Sequence, residues 1–173
     1  MTQFIPNVTF AFREGDEAPE GGGCPIGGEF VFKTANELFN NKRVIIFSLP
    51  GAFTPTCSTY QLPGFEQQYN DFKAKGIDEI YCVSVNDAFV MNEWARSLGI
   101  KNVKVIPDGA GKFTRLMGMT VDMSDIGFGV RSRRYAAIIS DGKVDHMFVE
   151  PESSADNPDP YGVSSPENVL AHT

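Results

Sequence analysis

Cys57 closes the run Pro50-Gly51-Ala52-Phe53-Thr54-Pro55-Thr56-Cys57, and the residues before it suit a thiol made nucleophilic. The run follows a continuous apolar stretch, Val44-Ile45-Ile46-Phe47, and precedes a helical pattern, so it reads as a strand-to-helix turn. Thr54 is a good helix N-cap, which puts Pro55 at the first helical position, where a missing N–H has no partner to lose. Cys57 then falls in the first turn, where unpaired N–H groups and the positive end of the helix dipole favour a thiolate. A buried structural residue is the plainer reading of any free cysteine. Against it, a Gly/Pro turn leading into a helix start is a place that presents a side chain. The spacing also says which chemistry is absent, because the residue three before Cys57 is Thr54, giving TxxC rather than CxxC. A lone thiolate cannot close a disulfide with a near neighbour, but it can attack an oxygen electrophile and become a sulfenic acid. The Thr54 hydroxyl is placed to bond the thiolate or a bound oxygen substrate.

A second concentration of chemistry is Arg131-Ser132-Arg133-Arg134, three of the 15 basic residues, leading into the apolar run Tyr135 to Ile139. For any one of the three, a solvated charge is the plainer reading. An arginine beside a strand start can instead offer fixed N–H donors to a thiolate. Strand alternation groups Arg134 with Ala136 and Ile138, and Arg133 with Tyr135 and Ala137, without saying which face holds the site. Of the other cysteines, Cys82 lies inside the apolar run Ile80 to Val85, and Cys24 lies in Gly21-Gly22-Gly23-Cys24-Pro25. His146 and His172 are remote from the cysteines, so no zinc-ligand spacing can be written, and no metal or cofactor is expected.

These residues need a scaffold, and 173 residues at 42% hydrophobic suit a single domain spanning 1–173. A net charge of −7 disfavours nucleic acid and anionic lipid as partners. No apolar run approaches the roughly 18 residues of a membrane span. The start, MTQFIPNVTF, has neither a basic nor an apolar leader region, and three cysteines without CxxC suit a reducing compartment. A cytoplasmic protein is expected.

Along the chain, Val8, Phe10 and Phe12 alternate with polar residues at the strand period, and Glu14 to Glu29 reads as a long exposed hairpin or loop. Thr34 and Glu37 form a capping-box pattern for a short helix. After the Cys57 turn, Phe65, Tyr69 and Phe72 predict one helix ended by Gly76, with a strand over 80–85 to follow. Residues 88–98 predict a helix in which Trp94 is core, 103–106 a strand, and 113–117 a helical turn. Asp141-Gly142 between two apolar runs is a hairpin signal, and an acidic, proline-rich loop precedes a final helix near 165–170. Alternating strands and helices, then a hairpin, give an α/β protein of the thioredoxin-like fold, with an N-terminal β extension and a closing β-hairpin.

The segments PGAFTPTC, VSVNDAFVMNEWA and GFGVRSRRYAAIISDGKV resemble the type II (atypical) peroxiredoxins of the redoxin-domain subfamily, from about Phe32 to Val149. The similarity extends to bacterial members and to the peroxiredoxin half of peroxiredoxin–glutaredoxin hybrids. The resemblance implies a thiol peroxidase acting on hydrogen peroxide and organic hydroperoxides. In it Cys57 is the peroxidatic cysteine, Thr54 orients the peroxide, Pro50 shields the pocket and Arg134 is the active-site arginine. It further implies a homodimer, for which Phe53 and Phe89 are the candidate exposed contacts. Cys82 matches the second cysteine of plant-like members, although a strand cysteine is ordinarily core. Glutathione with glutaredoxin is the expected reductant. The alternatives are a thioredoxin-recycled enzyme that uses Cys82 and a peroxide sensor without turnover.

Overall fold

The structure, a computed structural model, describes residues 2–173. Its centre is the strand that the apolar run predicted, β3 (Arg43–Ser48), for which β1 (Thr9–Glu17), β2 (Ile26–Thr34) and helix α1 (Ala35–Phe39) prepare the way. The five-stranded sheet runs β5 (Lys104–Pro107), β4 (Glu79–Ser84), β3, β8 (Tyr135–Ser140), β9 (Lys143–Val149). β3 is parallel to β4 and β4 to β5, whereas β8 and β9 add antiparallel. This is the thioredoxin-like arrangement with its closing hairpin.

Because β3 is covered on both faces, its alternate residues belong to two different cores. Ile45 and Phe47 pack with Phe65, Phe72, Trp94 and Val169; Val44 and Ile46 pack with Phe10, Phe39 and Phe113. The first face therefore carries α2 (Leu62–Gln67), α3 (Tyr69–Ala74), α4 (Ala88–Ser97) and α6 (Pro166–Ala171). The second carries the β1–β2 hairpin, α1 and α5 (Lys112–Leu116). Local signals act as read: Thr34 Oγ1 accepts from the Glu37 N–H while Glu37 accepts from the Thr34 N–H at 2.6 Å. Asp141 and Gly142 both take positive φ, 50° and 74°, as the tight β8–β9 turn requires.

Of the two readings of Glu14 to Glu29, an exposed hairpin or a loop, the structure has the hairpin, since β1 and β2 stay in register from Thr9↔Thr34 to Glu17↔Ile26. Gly28 permits this, because a Cβ there would come within 2.9 Å of the Glu14 carbonyl. Two features depart from expectation. The helix after the turn is not one α-helix: a π-helical turn, Cys57–Gln61, comes first, and α2 and α3 are separated at Gln68. Pro63 supplies a reason, since it has no N–H to donate and its ring crowds the carbonyl four residues back. Finally, β6 (Thr120–Asp122) and β7 (Val130–Ser132) form a small hairpin that places Arg131 on a strand. Three-residue strands are too short to show a period.

Candidate active site

The turn leaving β3 brings Pro50, Gly51 and Thr54 against the first helical turn. Ser58 N–H bonds the Thr54 carbonyl at 3.0 Å, so Thr54 does occupy the N-cap position. Its hydroxyl, however, donates to the Gly51 carbonyl at 2.7 Å instead of accepting from a helix N–H. That commits the proton and leaves the hydroxyl only lone pairs for a further partner. Phe53 lies in the turn at φ 61°, an unfavourable conformation for a bulky residue, and its ring stays 56% exposed.

Cys57 is fully buried, and so is Gln61 one turn later. Burial thus replaces the exposed thiol that the turn suggested. A buried thiolate needs a charged partner, and the cation beside Cys57 is Arg134. Strand alternation resolves as one of its two options: Ala136 and Ile138 face the core containing Cys57, and Arg134, just before β8, falls on the same face. Arg134 Nη1 lies 3.3 Å from Cys57 Sγ and donates to Gln61 Oε1 at 2.5 Å; Nη2 donates to Asp159 at 2.8 Å. Burial pulls the guanidinium pKa down, but the neighbouring Cys57 and Asp159 more than offset this and the net shift is upward. The cation is retained in a dry site.

The other two arginines do different work. Arg133 points away and donates to the Glu150 carbonyl at 3.0 Å. Arg131 donates to the Pro50 carbonyl at 3.2 Å and to the Phe128 carbonyl at 3.0 Å. A Cβ on Gly51 would sit 2.8 Å from Arg131 Nη1, so any side chain there would displace this guanidinium from its place against the turn. Sequence reasoning missed Gln61 and the bracing role of Arg131. Gln61 was detectable as the i+4 neighbour of Cys57 on a helix, whereas Arg131 depends on a hairpin that carries no period.

Cys82 is a different kind of thiol. It sits in β4 between Phe47 of β3 and Val105 of β5, with no exposed surface. Burial pushes its thiol pKa well above the ordinary cysteine value, the charge on nearby Cys57 adds to the rise, and Arg134 opposes it. Cys24 is exposed at the β1–β2 hairpin tip, and all three cysteines are free. Trp94 is core as expected, yet its indole N–H also donates to Ser58 Oγ at 2.9 Å, beside Cys57. Phe89 is 43% exposed. No cluster of three metal-ligating side chains occurs among the described residues.

Comparison with known proteins gives the family. Residues 13–163 match the Redoxin family. A peroxiredoxin of Rhizobium etli is 57% identical over 172 residues, covering 98% of this chain and 94% of the relative. The hybrid peroxiredoxin hyPrx5 of Haemophilus influenzae is 45% identical over 168 residues, covering 97% of this chain and 64% of the relative. The crystal structure of the Plasmodium falciparum antioxidant protein, a 1-Cys peroxiredoxin, superposes with a TM-score of 0.86 at 37% identity, covering 98% of this chain and 97% of that one. The chain thus belongs to the redoxin family as a type II peroxiredoxin, a thiol peroxidase.

Proposed function

We propose that Cys57 is the peroxidatic cysteine, that it reduces hydrogen peroxide and organic hydroperoxides, and that glutathione with glutaredoxin returns it to the thiol. The observation that carries the reading is the 3.3 Å approach of Arg134 Nη1 to Cys57 Sγ at a buried helix start. The thiolate sulfur attacks the terminal oxygen of ROOH, an S–O bond forms, and the O–O bond breaks with its electron pair leaving on RO⁻. RO⁻ takes a proton from solvent to become the alcohol or water, and Cys57 is left as sulfenic acid. Thr54 Oγ accepts the hydrogen bond of the terminal O–H, since its own proton is held by Gly51. Arg134 stabilises the charge developing on the departing oxygen. Pro50 closes one side of the turn, held through its carbonyl by Arg131.

Glutathione then attacks the sulfenic sulfur, releasing water and leaving a Cys57–glutathione mixed disulfide, which glutaredoxin reduces. Two things support an external thiol. Cys82 is a protonated thiol locked between two strands, and exchange requires a thiolate with access. Among relatives, one is named a hybrid peroxiredoxin and another a 1-Cys peroxiredoxin. One observation favours the second reading, recycling by thioredoxin through Cys82: Cys57 lies close enough to shift the Cys82 thiol. The proposal also includes a cytoplasmic homodimer in contact through the exposed Phe53 and Phe89.

The experiment is peroxide consumption by the purified protein with glutathione/glutaredoxin and, separately, with thioredoxin/thioredoxin reductase. Turnover in the first system that is absent in Cys57→Ser supports the reading. Turnover with thioredoxin alone overturns the reductant, and oxidation without turnover in either system makes the protein a sensor.

A further inference from the structure

The acidic loop between β9 and α6 reaches the site through Asp159 and Tyr161. It is anchored at its base: the buried Glu150 carboxylate accepts from the Gly162 N–H at 2.7 Å, and from the Ser164 N–H and hydroxyl at 2.8 Å each. The Glu150 N–H bonds the carbonyl of Arg134 itself at 3.0 Å. The loop is therefore tied to the short link between β7 and β8 that bears the guanidinium. From this frame Asp159 reaches Arg134 Nη2 at 2.8 Å, and the Tyr161 ring centre lies 5.9 Å from the guanidinium carbon. Tyr161 also stacks near Tyr60, in the turn that begins with Cys57, at 6.4 Å between ring centres.

We infer that Asp159 is a positioning residue for the peroxide step: its ion pair fixes the Arg134 guanidinium beside Cys57 and makes the 151–161 loop part of the active site. The physical reason is the rigidity of the guanidinium fork. Nη1 and Nη2 lie in one plane, so holding Nη2 on a carboxylate sets the direction in which Nη1 points. Without Asp159 the group keeps Cys57 and Gln61 as partners but gains rotation about the end of a long side chain. Among the described residues, Asp159 is the only carboxylate in salt-bridge contact with Arg134. The loop reading of the sequence gave this segment no role. The inference rests on the proposed roles of Cys57 and Arg134 and extends them to a residue 25 positions further along the chain.

A double-mutant cycle tests it, with the peroxide step followed by Trp94 fluorescence in stopped flow, since Trp94 bonds the neighbour of Cys57. Asp159→Ala is expected to slow the second-order reaction with peroxide about tenfold, as misplacement of a reacting group does. Asp159→Glu, which keeps the carboxylate within reach, is expected to recover most of that loss. If Asp159 acts through Arg134, adding Asp159→Ala to Arg134→Ala changes nothing further. A rate for Asp159→Ala within about twofold of the parent, or a tenfold loss that persists in the Arg134→Ala background, overturns the inference. If Arg134→Ala itself reacts as fast as the parent, the proposed roles of Cys57 and Arg134 fail first and the inference fails with them. Because Asp159 is 47% exposed, its replacement leaves the core intact, and the thermal midpoint of Asp159→Ala verifies this.

Discussion

Cys57 and Cys82 are both fully buried and belong to one hydrophobic core, yet they are opposite kinds of thiol. Cys57 lies in the first turn of a helix and has a guanidinium 3.3 Å away. Cys82 is held mid-strand by β3 on one side and β5 on the other, and the first cause of its raised pKa is burial. Burial alone therefore does not classify a cysteine. What separates the two is whether the surrounding elements supply donors to a negative sulfur. On the face that holds Cys57, Arg134 with its partners Gln61 and Asp159 is the charged group beside the sulfur.

The comparison breaks most sharply at its nucleophile. Cys57→Ser is expected to reduce peroxide turnover at least about a thousandfold with an unchanged fold, measured by peroxide consumption and circular dichroism. Arg134→Ala should slow the peroxide step about a hundredfold by removing a donor from the developing charge, and Arg134→Lys should recover little because it lacks the planar fork. Arg133→Ala, whose side chain bonds the Glu150 carbonyl away from the thiol, should leave that rate within about twofold. Arg131→Ala should fall between, at about a tenfold loss, because it frees the Pro50–Gly51 turn without touching sulfur.

The smallest effects concern Cys82. Intact-mass analysis after treating the folded protein with iodoacetamide should show Cys24 modified and Cys82 untouched until denaturant is added. Its thiol is a proton-bearing group whose folded pKa is raised. The associated stability is therefore fully present below the ordinary cysteine value and is lost as pH climbs toward the raised one. The loss should be about 1.4 kcal/mol per pH unit over that window. Denaturant midpoints across alkaline pH should fall more steeply in the parent than in Cys82→Ala, which keeps the alkaline loss from Tyr81, Tyr135 and Tyr161, tyrosines whose pKa burial also raises.

Much of this was legible beforehand because the signals were local. A fully apolar run marked β3, a capping box marked α1, Asp141-Gly142 marked the β8–β9 turn, and Thr54-Pro55 fixed where the Cys57 helix begins. Alternation had already paired Arg134 with Ala136 and Ile138, lacking only the knowledge of which face held Cys57. What stayed hidden was long-range or irregular. The π-helical turn at Cys57–Gln61 follows a helical pattern too closely to be told apart by spacing. Asp159 lies in a loop whose composition predicts exposure, and its contact with Arg134 spans 25 residues. The Thr54 hydroxyl shows a subtler limit: its position at the helix start was readable, but its bond to the Gly51 carbonyl depends on the turn's own backbone.

The central contrast, a reactive Cys57 over an inert Cys82, is tested most directly by the intact mass of the reduced protein after one equivalent of peroxide, with and without glutathione. The account predicts one added oxygen on Cys57 in the absence of glutathione, and in its presence one glutathione on Cys57, with Cys82 a free thiol throughout. A loss of two hydrogens that disappears in Cys82→Ser, accompanied by loss of turnover in that variant, would show the strand cysteine resolving the sulfenic acid and would contradict the account.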